Sequence, residues 1–146
     1  MLEALRKRRK DESGFTLVEL LVVMLILGIL AAIAIPSFFN QRDKANDADA
    51  KAAARTAQTA IETYATDNNG SYSGADTADL VAIESTLTDV GANLTVPTAT
   101  ASTYEVVVAE PDTGNAFSIE RTATGSTVLS CTVANDGGCP SDGLWD

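Results

Sequence analysis

Histidine is absent from the 146 residues. That removes the commonest general base and the commonest metal ligand from the chemistry open to this chain. Cysteine occurs only twice, at Cys131 and Cys139, and not in a Cys-x-x-Cys arrangement, which argues against a zinc site or thioredoxin-like redox work. There is no P-loop, glycine-rich nucleotide motif or nucleophile elbow. An anchored enzyme would have to rest on carboxylates, Ser, Thr or Lys alone. Positive charge is also scarce beyond the start: Arg6, Lys7, Arg8, Arg9 and Lys10 hold half of the basic residues, and the formal net charge is −10. The rest of the chain is therefore strongly acidic. Such a domain is poorly suited to bind a nucleic-acid backbone, and its charge suits solubility outside a cell.

What is present is concentrated near the N-terminus. A polar, basic segment over residues 1–14 gives way at Phe15 to an apolar run in which Glu19 is the single ionisable side chain as far as Ile35. As a helix this run is roughly 31 Å long at about 1.5 Å per residue. A bilayer core is about 30 Å thick, so residues 15–39 are expected to span it once, with the basic cluster on the cytoplasmic side. An ordinary secretory signal fits less well. The run is long for one, Pro36-Ser37-Phe38 is a poor small-x-small cleavage site, and the small residue that stands out, Gly14, precedes the run.

Residues 40–70 keep a helical period but change character. Ala57, Ala60, Ile61 and Tyr64 form one narrow apolar stripe, which Ala45, Ala48 and Ala52 are expected to extend toward the N-terminus. Asp67-Asn68-Asn69-Gly70 reads as a helix stop. Residues 71–100 look like a connecting region, loop-like except for a short helix that Asp76 can cap and that carries Leu80, Val81 and Ile83. Three strand-like runs follow, Thr103–Glu110, Ala116–Thr122 and Thr127–Val133, separated by Pro111-Asp112-Thr113-Gly114 and Ala123-Thr124-Gly125-Ser126. An antiparallel meander covered by the helix stripe is the natural assembly, giving an α+β fold. The material for a core is modest, so a disulfide or neighbouring subunits are expected to help.

The most informative string is Gly14-Phe15-Thr16-Leu17-Val18-Glu19-Leu20, at the junction of basic leader and apolar helix. With the continuation to Pro36-Ser37-Phe38, it resembles the N-terminus of type IV prepilins and the related pseudopilins, over roughly the first third of the chain. The remainder is similar only in architecture. The resemblance implies that a membrane prepilin peptidase removes residues 1–14 by cutting between Gly14 and Phe15, and that the new Phe15 amine is N-methylated. Gly14 suits such a site because a residue without a side chain can enter a narrow cleft in extended form.

Glu19 costs on the order of 2–3 kcal/mol in an apolar span. The resemblance implies that its partner arrives on assembly, as the Phe15 amine of a neighbouring subunit, so that the pair fixes the axial register. Gly28 lowers helix preference by about 1 kcal/mol relative to Ala, and Pro36 removes a helical N–H, so the span between them is a candidate flexible segment. Two nearby cysteines in a secreted domain favour a Cys131–Cys139 disulfide over free thiols. Asp136, Asp142 and Asp146 raise the calcium site of some pseudopilins, but EF-hand spacing is lacking, and neither a metal nor a cofactor is expected. Aromatics make up 5% of the chain, which gives little support for a stacked, electron-conducting filament.

The expected function is a structural pilus subunit serving adhesion or motility. It would be a single-pass cytoplasmic-membrane protein before assembly and part of an extracellular homopolymer afterwards. Its partners would be other pilin subunits, the peptidase, the bilayer and an assembly platform. The alternatives are a type II secretion or competence pseudopilin and, remotely, a membrane-anchored binding domain or enzyme.

Overall fold

The computed structural model describes residues 14–145. The basic cluster Arg6–Lys10 and Asp146 lie outside the described residues. The chain divides into two units, Met1–Phe39 and Asn40–Asp146. A single helix, α1 (Leu17–Asp67), runs unbroken through Pro36. It stops where the sequence predicts: Asn69 and Gly70 take φ of 58° and 83°, and the Gly70 N–H returns to the Ala65 carbonyl. The short helix α2 (Thr77–Ile83) opens on a reciprocal capping box between Asp76 and Asp79. Two 3₁₀ turns, Ser85–Asp89 and Gly91–Asn93, lead into the sheet.

The sheet has four antiparallel strands in sequential order: β1 (Leu94–Ala99), β2 (Tyr104–Ala109), β3 (Ala116–Arg121) and β4 (Thr127–Cys131). The meander is present, with one strand more than the three expected. β1 lies inside the stretch read as loop-like. Its Leu-Thr-Val-Pro-Thr-Ala sequence hides it, because Pro97 cannot serve a central ladder and the register breaks between Thr95 and Thr98. The opposite edge, β4, is met by the C-terminal segment: Leu144 bridges Ser130, and the Cys131 N–H donates to the Gly143 carbonyl at 2.8 Å.

Strand alternation sends Tyr104, Val106 and Val108 of β2 and Phe117 and Ile119 of β3 to one face. There they meet Ala50, Ala54, Ala57, Ala60, Ile61 and Ala65 of α1. Alanine lets backbone and sheet approach closely, and its high helix propensity maintains α1 where large apolar side chains are few. Burying a side chain such as Phe117 or Ile61 stabilises the head by about 1.5–3 kcal/mol each. The expected extension of the stripe is corrected here. Ala45, Ala48 and Ala52 are exposed, and the buried positions one turn earlier are Asp47 and Ala50. Tyr64 is only half-buried, its hydroxyl donating to the Ser73 carbonyl.

Candidate functional site

Gly14, Phe15 and Thr16 precede the helix, and Thr16 starts it: its hydroxyl oxygen accepts the Glu19 N–H at 3.1 Å and its carbonyl accepts the Leu20 N–H at 3.2 Å. Glu19 thus occupies the first turn, where the helix dipole favours a negative charge. Every described residue from Gly14 to Arg42 is exposed, Phe15 to 84% of its surface. Gly28 has open space around its α-carbon. This is the part of the chain long and apolar enough to cross a membrane, and none of it is buried within the chain. A soluble monomer does not carry an apolar surface of this extent, so the segment requires lipid or other chains around it.

The cysteines are joined, with Cα atoms 5.8 Å apart. The loop they close is fastened to α1 by a residue the sequence reading passed over. Asp47 is fully buried, and its carboxylate accepts from the Thr113 hydroxyl (2.6 Å), the Asn115 amide (2.8 Å) and the Gly138 N–H (2.7 Å). Asn115 also takes the Val133 N–H on its own oxygen, so the β2–β3 turn, the cysteine loop and the helix meet at one carboxylate. The loop backbone comes so close that a side chain at Gly137, where φ is +54°, would overlap the Asp47 carboxylate. Lys51, one turn along, donates to the Gly138 carbonyl at 2.6 Å and lies over the Phe117 and Trp145 rings. Trp145 is buried edge-on to Phe117, with its indole N–H on the Ser130 carbonyl.

A second hub sits near the other end of the helix face. Glu62 accepts from the hydroxyls of Tyr72 (2.8 Å) and Tyr104 (3.0 Å) and pairs with Arg121 at 3.5 Å. Burial, with help from the nearby Glu62 carboxylate and against a lowering pull from Gln58, holds the Tyr104 hydroxyl well above its ordinary range. Burial and the Glu62 contact raise Tyr72 too, against a lowering pull from Arg121. Among the described residues no group of three or more Asp, Glu, His or Cys side chains is gathered as a metal site would require; Asp142 instead accepts the Leu144 N–H. The arrangement holds a loop and a sheet to a helix.

Residues 9–35 match the model of the prokaryotic N-terminal methylation motif. The chain is 32% identical over 132 residues to a type IV wide pilus major component of Thermus thermophilus, covering 84% of this chain and 98% of that one. It is 53% identical over 53 residues to the narrow pilus major component of the same organism, or 35% of this chain and 46% of the other. It is also 41% identical over 61 residues to a type II secretion system core protein G of Pseudomonas aeruginosa, matching 42% of this chain and 43% of that protein. The match therefore spans less than half the length of that secretion protein. No solved structure matches. With a methylation-motif helix, a helix-packed meander and an end-to-end relative, the chain belongs to the family of type IV pilins and their pseudopilin relatives.

Proposed function

We propose that the chain is a structural, non-catalytic subunit of an extracellular type IV pilus. The observation that carries this reading is the similarity to the wide pilus component, which runs through 98% of that protein and so includes the head as well as the helix. The exposed apolar segment supplies the physical reason: it resides in the bilayer before assembly and in a filament core afterwards. A membrane peptidase cuts between Gly14 and Phe15, the Phe15 amine is methylated, and Glu19 of a neighbouring copy receives that amine. An assembly platform draws the subunit from the membrane into the homopolymer. Within the polymer the Gly28–Pro36 span gives up part of its helical hydrogen bonding.

Shearing intact cells and recovering this chain in long surface filaments tests the reading. Mass spectrometry of the filament should find a methylated Phe15 at the N-terminus. Recovery of the unprocessed chain, or of no filament, rules the proposal out. The similarity to the secretion protein favours a second reading, a pseudopilin. Labelling that finds only short assemblies confined to the envelope selects it over the pilus.

A further inference from the structure

Two of the grooves on the head differ in chemistry. One, of about 230 Å³, has a floor of Ala53, Val90 and Val108 and is rimmed by three carboxylates, Asp49, Asp89 and Glu110. The other, of about 500 Å³, is lined by Val128, Leu129, Leu144 and Trp145 and, among the described residues, carries one charged side chain, Arg55. At about 100° per residue, Ala53 and Arg55 lie roughly 200° apart around α1, so the grooves flank the helix on opposite sides. The strand order separates them in the same sense, since the acidic groove borders β2 and the Arg55 groove borders the far edge strand β4.

Among the described residues, neither Arg55 nor the Asp49 and Asp89 carboxylates make an ion pair. Arg55 is exposed over the Trp145 ring, and Asp49 and Asp89 are exposed too. From Thr56 to Glu120 the sequence contains no Lys or Arg, so the acidic flank is poorly supplied with cations of its own. Val128 and Leu144 keep 39% and 49% of their surface open beside Arg55, while in the acidic groove Val108 is buried and Ala53 and Val90 are half-buried.

We infer that these two grooves join successive copies of this chain: the Arg55–Leu144 patch of one head docks in the Asp49–Asp89–Glu110 groove of the next. The occupant is a second copy because charge and apolar content are complementary between two surfaces of the same head. Surfaces on opposite flanks cannot satisfy each other in a closed two-fold pair. They make a heterologous contact, the kind that propagates as an open helical array. Charge pairing here sets register and partner choice, while the apolar floor excludes water. The inference rests on the pilus reading and adds to it a contact between heads, separate from the N-terminal helix.

The test reverses charges in the full chain and measures filament recovered by shearing. Arg55→Glu and Asp89→Lys should each lower the yield by about ten-fold or more, and combining them should restore most of it. Arg55→Gln, which adds no opposing charge, should fall between Arg55→Glu and wild type. Thermal melts of the purified variants should match wild type, because all these side chains are exposed. Wild-type yields from both single reversals overturn the inference, as does a double variant no better than either single one. If the wild-type chain itself yields no filament, the pilus reading fails and this contact falls with it. If only the reversals fail to matter, the pilus reading stands and the contact alone is withdrawn.

Discussion

Two stretches of one helix treat hydrophobicity in opposite ways. Between Leu17 and Phe39 most side chains are large and apolar, and all are exposed. Between Asn40 and Asp67 the buried side chains are mostly alanines, with one isoleucine and one aspartate among them. Apolar bulk does not mark the core of this protein. The first stretch keeps its apolar surface for surroundings outside the chain, whereas the second joins a sheet by close approach and by hydrogen bonds to a buried carboxylate. Stability of the head and capacity to assemble are thus carried by different residues, and substitutions can separate them.

The largest separation should come from Glu19→Ala. Removing the charge makes the first stretch more apolar, so insertion and cleavage should proceed normally while filament yield falls to near zero. Wild-type filament from this variant would disprove the register role. The converse change is Asp47→Ala, which strands the Thr113 hydroxyl, the Asn115 amide and the Gly138 N–H without their acceptor. At about 1–3 kcal/mol for each orphaned group, the head should lose several kcal/mol in urea unfolding, with cleavage at Gly14 unchanged.

Cys131→Ser opens the loop and should cost about 2–3 kcal/mol by the chain-entropy relation, again without affecting processing. Alkaline titration gives a smaller effect still. Tyr72 and Tyr104 have hydroxyls raised above the ordinary value of 10.0, so they bind their protons more tightly folded than unfolded. Their stabilising contribution is complete below about pH 10 and is lost as the pH rises through the folded values. Tyrosinate absorbance from Tyr72 and Tyr104 should therefore appear together with unfolding, and their ionisation in a still-folded head would contradict the Glu62 hub. Ala48→Ser, on the exposed face, should shift the melt by less than about 0.5 kcal/mol. A large loss there would restore the stripe expected from sequence.

Much of the fold was legible because its signals are local. The Asp67–Gly70 stop, the Asp76 capping box and the Gly114 and Gly125 turns each depend on residues within one turn of each other. The apolar segment and Glu19 declare themselves by contrast with their neighbours. β1 was not legible, because a short Thr-rich strand with an internal proline lacks the alternation of a two-sided strand. Ala45, Ala48 and Ala52 misled for a related reason: alanine is compatible with both faces of a helix and reports on neither. Asp47 was invisible because its donors lie 66, 68 and 91 residues away, and only the folded chain makes burying a carboxylate tolerable. Glu62 was missed likewise, since the tyrosines and arginine that engage it come from separate elements.

The treatment of the sheet margins bears on how such a subunit survives before it is used. A subunit that polymerises must meet copies of itself at close range. An unprotected strand edge there would recruit a neighbour's strand and begin an irreversible cross-β aggregate. Pro97 and the register break spoil one margin, and the Gly143–Trp145 segment occupies part of the other. With backbone recruitment discouraged at both ends, association is left to side chains, whose contacts can form and dissolve. A subunit can then remain ready for polymerisation without pairing its backbone to a neighbour's.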